Sequence, residues 1–165
     1  MKKIVCIFVV MSLILLSTAC NADANNQQDV LFFYRIQKTA YDSPIGLIDS
    51  EPRIFYKNVT AQGILNTYFS GPIHNEFISP FPENTALVDI QFEDTNLDIV
   101  LNDSFAEQTG AHLTLACVCI YKTVSSIYRI KTVRISAENV KLNGQDVITL
   151  TSESVFYYDD AEPAS

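Results

Sequence analysis

Few residues in this chain could do chemistry, and the first to consider are its two histidines, His74 and His112. A histidine can act as a general base or bind a metal ion, but both roles need partners at a suitable spacing. Neither has a His, Cys or Glu nearby at ligand spacing. The sequence also contains no G-x-S-x-G frame, phosphate-binding loop or dinucleotide fingerprint. It therefore predicts no catalytic residue, no metal site and no cofactor.

The four cysteines are the other reactive groups: Cys6, Cys20, Cys117 and Cys119. The last two are two positions apart in a segment with helical periodicity, so their side chains point about 200° apart. They cannot readily bridge each other, and no second cluster is present to complete a metal site. We therefore predict that Cys117 and Cys119 are free thiols in the core.

The first residues have the form of a secretion signal. Lys2 and Lys3 precede an apolar run over residues 4–16, which is short for a membrane-spanning helix. The run ends in Leu-Ser-Thr-Ala-Cys at 16–20, which resembles a bacterial lipoprotein signal with a lipidated cysteine. We predict a signal peptide over 1–19, lipid attachment at Cys20 and a polar tether over 20–29. The alternative is an ordinary secretory signal cleaved nearby, with Cys20 unmodified.

The charge balance restricts the partners. The chain has 11 Lys and Arg against 19 Asp and Glu, and removing residues 1–19 takes its formal net charge from −8 to −10. Nucleic acids and anionic lipids are bound mainly through Lys and Arg, so an acidic chain is a poor candidate for either. Residues 159–165 form an acidic tail that we expect to be solvated.

A hairpin and a long helix dominate the middle of the chain. Apolar and polar residues alternate over 88–93 and again over 97–102, on either side of an Asp94-Thr95-Asn96 turn, as in a sheet with one solvated face. From about Ala111 the period becomes helical, and one apolar stripe follows: Leu113, Ala116, Cys117, Ile120, Tyr121 and Val124. This helix should pack its stripe on the sheet and leave Lys122 exposed.

Shorter elements flank this unit. Residues 30–37 predict a central strand and residues 53–56 a second one, with Pro52 at its beginning or on a sheet edge. Thr60 is expected to cap a helix over 61–70, which Gly71-Pro72 ends. Residues 128–135 predict a strand with one wet face. Asn143-Gly144 predicts a tight hairpin turn between 140–142 and 147–149, and residues 154–158 predict a last strand.

Several short motifs occur in a fixed order: Leu31-Phe32-Phe33, Ile64-Leu65 running to Gly71-Pro72, Pro82-Glu83-Asn84-Thr85, Leu97 to Phe105, the helix over 113–127, and Val133-Arg134-Ile135. Together they resemble the GerMN domain, the module of sporulation and spore germination lipoproteins. The resemblance covers residues 30–136. Asn84 departs from the pattern, since the family often has glycine in this turn, but asparagine also tolerates a left-handed backbone.

The resemblance implies an α+β fold: a small antiparallel or mixed sheet with two helices packed on one face, similar to the wedge-shaped ring-building domains of secretion systems. It implies no catalytic residues. The domain would occupy 30–136, followed by a C-terminal β extension over 137–158 and the acidic tail over 159–165. It would act as a membrane-tethered module on the outer face of the bacterial cytoplasmic membrane.

Three hypotheses for the function follow. The first is a non-enzymatic, lipid-anchored module that assembles with protein partners in the envelope, or with further copies of itself, in sporulation or germination. Its candidate interaction face is the polar side of the hairpin, at Asp89 and Gln91. The second is a lipoprotein that binds a small ligand or cell-wall fragment. A deep pocket lined by tyrosines would favour this hypothesis. The third is an envelope hydrolase, which would need His74 or His112 beside a Ser or Asp in a cleft.

Overall fold

The computed structural model describes residues 26–36 and 48–155. Its elements in chain order are β1 (Gln27–Ile36), β2 (Ile48–Tyr56), α1 (Ala61–Phe69), β3 (Phe77–Ile78), β4 (Leu87–Glu93), β5 (Asn96–Leu101), a 3-10 helix (Asp103–Glu107), α2 (Gly110–Ile127), β6 (Thr132–Ala137), β7 (Ile148–Thr151) and α3 (Ser152–Val155). The predicted signal peptide, Cys20, most of the tether and the acidic tail lie outside the described residues.

The strands form two sheets. The first has the order β2-β1-β3 and the second the order β4-β5-β6-β7. Among the strands of the described residues, β5 and β6 alone run parallel, because α2 carries the chain from one to the other, so the second sheet is mixed. The α+β class is confirmed, and the central place of β1 in its sheet agrees with its dense apolar sequence. The strands are divided between two sheets, a partition that periodicity does not reveal.

Helix α2 is buried on more than the predicted stripe. The stripe residues are all buried, but Val118, Cys119 and Thr123, which lie off that stripe, are buried as well. Helix α2 is thus the core helix, although by length and composition it could span a membrane. Lys122 is half-buried rather than exposed, with its Nζ 5.3 Å from the centre of the Phe33 ring. The prediction of one apolar face was therefore incomplete.

The second face of α2 is buried because it covers β1. The backbone N–H of Phe33 donates to Thr123 Oγ1 at 2.9 Å, and Ser126 Oγ donates to the carbonyl of Leu31 at 3.2 Å. The backbone groups of Phe33 and Leu31 point away from β2. Side chains of α2 therefore satisfy the hydrogen bonds of part of the free edge of β1. Pro52, opposite Leu31, consequently loses no ladder bond, and β2 begins at Ile48 rather than near Arg53 as predicted.

In the hairpin, β5 is the covered strand and β4 the edge. Leu97, Ile99 and Leu101 of β5 are fully buried, as their alternation predicts. The register shifts between Leu87 and Asp89, so Val88 is the extra residue of a bulge and is 42% exposed. The predicted apolar face is therefore complete on β5 and only partly covered on β4.

Helix α1 holds an aromatic cluster against the first sheet. Thr60 Oγ1 accepts from Gly63 N at 3.1 Å, which confirms the cap, and Gly71 has a φ of 96° where the helix ends. The Tyr34 hydroxyl donates to the Tyr68 carbonyl at 3.1 Å, and the Tyr68 hydroxyl donates to the Phe33 carbonyl at 2.7 Å. These two tyrosines are thus core residues, fully buried between α1 and the first sheet.

The C-terminal turn is confirmed, but its arms pair differently from the prediction. Asn143 and Gly144 have φ values of 48° and 84°, as a type I′ turn requires. Strand β7, however, pairs with β6, so that Ile148 is opposite Ile135. Ser154 and Val155 belong to the short helix α3 instead of a strand.

Candidate interaction surface

The outward side chains of the second sheet lie in two rows. The strand register aligns Gln91, Asp98, Arg134 and Thr149 in one row across β4, β5, β6 and β7. Asp89, Val100 and Ser136 form the adjacent row. Their strand neighbours, such as Leu97 and Ile135, are buried on the other side. We call this surface the outer face; both predicted interaction residues, Asp89 and Gln91, lie on it.

An ion pair stands at the centre of the outer face. Arg134 donates to Asp98 through both Nε and Nη2, with Nε 2.5 Å from Oδ1. The hydrogen bond that Arg134 donates to Asp98, and then the negative charge of Asp98, raise the pKa of Arg134 above its usual range. The pair remains accessible, since the side chains are 48% and 34% exposed. A forked pair of this kind fixes the orientation of both side chains.

The rest of the outer face is slightly concave and combines polar side chains with the apolar side chains of Val100 and Val147. Gln91 Nε2 donates to Asp89 Oδ2 at 2.8 Å, so these two side chains hold each other. Together with Val147, the two rows line a depression of about 500 Å³. The depression contains carboxylate, amide, guanidinium and hydroxyl groups but no histidine or cysteine. Groups of these kinds can donate and accept hydrogen bonds across a protein–protein contact.

Asp98 and Arg134 are the residues of this surface that sequence reasoning missed. Each lies between buried neighbours, so alternation alone placed it on a wet face. Only the parallel pairing of β5 with β6 makes the two directly adjacent, across 36 positions of sequence. The outward position of both could have been predicted, whereas their contact depends on tertiary register.

A second polar cluster surrounds Glu51, which is fully buried on β2. Its Oε1 accepts from the backbone N–H groups of Ile73 at 3.0 Å and His74 at 2.7 Å, and its Oε2 accepts from Arg53 Nε at 2.7 Å. Arg53 Nη2 also donates to the Gly71 carbonyl at 3.2 Å. Glu51 and Arg53 thus fasten the segment that follows α1 to the first sheet.

The electrostatics of Glu51 agree with this structural role. Burial on its own raises the pKa of the Glu51 carboxyl. The hydrogen bond from His74 N–H and the bond and charge of Arg53 outweigh burial, so the pKa lies below its ordinary value of 4.5. A carboxylate that is buried, ionised and already bonded to its own chain is poorly placed to transfer protons.

The remaining reactive residues do not converge with the outer face. His74 Nε2 is 3.9 Å from Glu51 Oε1 and mostly exposed, while His112 is exposed in the first turn of α2. Cys117 and Cys119 are free and buried, as predicted, and burial raises the pKa of both thiols to about 12. Among residues 26–36 and 48–155, no group of three His, Cys, Asp or Glu could hold a metal ion.

The concavity at the end of α1 is a different kind of space. It measures about 570 Å³ and lies between α1 and the loop that leads to β4. Its lining contains no tyrosine; it is formed by Asn66, Phe69, Ser70, Gly71, Ser79, Phe81, Pro82, Glu83, Asn84, Thr85 and Ala86. It does not match the tyrosine-lined pocket expected of the ligand-binding hypothesis.

Fold and surface together define a small α+β domain whose inner sheet face is buried in the core and whose outer face is accessible. The family model Germane, described as sporulation and spore germination, matches residues 30–143. The chain belongs to this family. The resemblance to GerMN domains, read from motifs between residues 30 and 136, is confirmed.

Solved structures agree with the family at the level of the fold. The tandem GerMN domains of the Bacillus subtilis sporulation protein GerM are 14% identical, with a TM-score of 0.58 over 81% of this chain and 48% of that one. The chain thus spans about half of the tandem structure. The first GerMN domain alone is 11% identical, with a TM-score of 0.54 over 75% of this chain and 98% of that one.

A further structure, of a candidate lipoprotein from Clostridium perfringens, is 17% identical. It covers 87% of this chain and 100% of that one, with a TM-score of 0.47. No curated protein matches the chain.

Proposed function

We propose that this protein is a non-enzymatic, lipid-anchored assembly module that binds a protein partner in the bacterial envelope through the outer face of its second sheet, in sporulation or spore germination. Family membership supports the biological setting. The observation that carries the proposal is the pair of aligned rows on the outer face, whose side chains are mostly polar and accessible and include the Asp98–Arg134 ion pair. An α+β domain needs only one covered sheet face, so the other is available for contact.

The charge pattern of the outer face favours a partner with complementary donors and cations. Asp89 and Asp98 contribute two negative charges, and Arg134 is already paired with Asp98. A partner that presents lysine or arginine opposite Asp89 would gain attraction, whereas a cation at position 89 or 91 would repel it. Like charges brought together at an interface cost several kcal/mol, so the outer face can be tested by charge reversal.

We expect Asp89→Lys and Gln91→Lys to weaken partner binding while the domain stays folded, because both positions are exposed on the edge strand. The measurement is a pull-down from solubilised membranes, after thermal melts have shown normal folding. Glu107→Lys, an exposed site outside the outer face, is the control for added positive charge and should bind normally. Equal recovery of partners by all three variants would refute the choice of face.

Histidine variants expressed in cells distinguish an assembly role from a catalytic one. His74→Ala and His112→Ala should leave function intact, because neither side chain belongs to the outer face and function resides in that surface. A folded histidine variant that retains all its partners but loses function would contradict the non-enzymatic proposal and point to an active site.

The anchor makes a separate prediction. Cys20 lies outside the described residues, and its lipidation rests on the small residues that precede it in the sequence. Cys20→Ala should abolish incorporation of a fatty-acid analogue and release the domain from the membrane fraction. Stable anchoring requires two lipid signals, typically two acyl chains, and this substitution removes the residue to which they would be attached. Ala19→Ser keeps a small residue before the cysteine and should still label. A Cys20→Ala protein that labels and sediments with membranes would exclude this cysteine as the anchor.

A further inference from the structure

A groove lies on the side of α2 that covers β1, well away from the outer face. It holds about 330 Å³ and is lined by Phe33 of β1, Tyr121 and Ser125 of α2, and Ser152 and Val155 of α3, with Lys122 at its rim. The side chains of Phe33, Tyr121 and Val155 make it largely apolar. We call it the C-terminal groove, because Val155 is the last residue that the structure describes.

The apolar surface continues beyond the groove onto the first sheet. Phe33 shares the outward side of β1 with Leu31, which is 40% exposed. Pro52 lies opposite Leu31 on β2, and Ile54, two positions further on, is 67% exposed. Contiguous exposed apolar groups on a small domain mark a contact surface. The groove and this strip therefore call for an occupant that is itself apolar.

The chain carries a matching segment directly after the groove. Residues 156–158 are Phe-Tyr-Tyr, and Asp159-Asp160 follow them. Since Val155 already lines the groove, three further residues, which span about 10 Å when extended, reach across it without a linker. Aromatic rings suit the apolar floor, and the acidic pair that follows would emerge beside Lys122 at the rim.

One polar group in the groove supports this occupant. Ser125 Oγ is buried and has no hydrogen-bond partner among the described residues. A buried hydroxyl without a partner costs free energy, so an occupant that reached Ser125 Oγ would gain a hydrogen bond. A tyrosine hydroxyl or a backbone amide of the tail could form that bond, whereas a purely aliphatic occupant could not.

We propose that the C-terminal groove is an intramolecular docking site for the chain's own aromatic tail, residues 156–158, which fold back over Phe33 and Tyr121 and leave the acidic residues 159–165 in water. Covalent connection gives the tail an effective concentration in the millimolar range, an advantage that a second copy does not have. The tail then covers an apolar surface that would otherwise face solvent.

The chain contains no tryptophan, so a single Trp reports on the tail without background. In the full chain, we expect Phe156→Trp to emit at short wavelength and to resist quenching by acrylamide. The matched control is Ala164→Trp, in the same tail beyond the acidic residues, which should emit and quench as a solvated tryptophan.

Two groove variants, each combined with Phe156→Trp, test where the tryptophan is buried. Ser125→Glu introduces a carboxylate into the groove, and Lys122→Glu reverses the charge beside the acidic residues. Each should move the emission and quenching towards those of Ala164→Trp. Thermal melts first establish which of the two groove variants is folded, and one folded variant is enough for the test.

Three results would overturn the proposal. The Phe156→Trp chain could behave like Ala164→Trp, which would leave the tail in solvent. Its protection could survive in a folded groove variant, which would place the aromatic residues elsewhere. Protection could also grow with protein concentration, which would make the occupant a second copy of the chain.

Discussion

Replacing Ile120 with Asp should unfold the domain or lower its melting temperature drastically. Ile120 is fully buried in the middle of α2, the helix that packs against β1 and contributes most to the core. The substitution removes a buried aliphatic side chain, which costs about 2–5 kcal/mol, and adds a carboxylate without a partner, which costs several more. The total stability of a domain is about 5–15 kcal/mol, so little would remain.

Circular dichroism during heating and urea titration measures this effect. Ala111→Asp is the matched control: it introduces the same carboxylate into the same helix, at an exposed position in the first turn. An acid there interacts favourably with the helix N-terminus, so this variant should melt at or near the wild-type temperature. Lys122→Asp would be a poor control, because its side chain is half-buried over Phe33. If both aspartate variants melted alike, α2 would not be the core helix.

Glu51→Ala should be the most destabilising change of a polar residue. It leaves Arg53, whose side chain is only 12% exposed, without its carboxylate, and it strands two backbone N–H groups at Ile73 and His74. Removing one partner of a buried ion pair costs about 3–5 kcal/mol. Asp49→Ala, at an exposed position on the same strand, is the control and should change the free energy of unfolding little.

The stabilisation by Glu51 should depend on pH in a definite direction. The pKa of Glu51 is lower in the folded protein than its ordinary value of 4.5, so the unfolded chain binds the proton more tightly. The stabilisation is therefore complete above pH 4.5 and is lost as the pH falls through the folded-state pKa. The difference in unfolding free energy between wild type and Glu51→Gln should shrink over that acid range. A difference that stayed constant or grew in acid would show that Glu51 is not held as a carboxylate.

Periodicity predicted the parts of this fold that are determined locally. The alternation in β5 and the helical stripe of α2 correspond to buried residues, and Thr60 and Asn143-Gly144 adopt their predicted cap and turn. In each case the information lies within a few consecutive residues, as side-chain direction or backbone preference.

Features that depend on distant partners could not be read in this way. Cys119 and Thr123 of α2 look like interruptions of an amphipathic stripe, but they are buried because β1 lies against them. The turn closes with the pair of Leu142 and Gln145, but beyond it β7 pairs with β6 instead of continuing the hairpin that the turn suggested. The ion pair of Asp98 with Arg134 likewise depends on a parallel register.

The ion pair of Glu51 and Arg53 on β2 is a different case, since the spacing of the two residues in the sequence already indicated it. Glu51 and Arg53 are two positions apart on a strand, so they lie on the same face and can pair without any distant partner. Their burial was not predictable, because it depends on the segment after α1 closing over Glu51.

Photo-crosslinking in cells tests the central claim most directly. A photoreactive amino acid replaces Gln91 on the outer face, and in a second strain it replaces His112 at the exposed start of α2. If the outer face binds the partner, irradiation should join the chain to an envelope protein from position 91 and not from position 112. Adducts from position 112 with none from position 91, in folded and membrane-bound protein, would contradict the account.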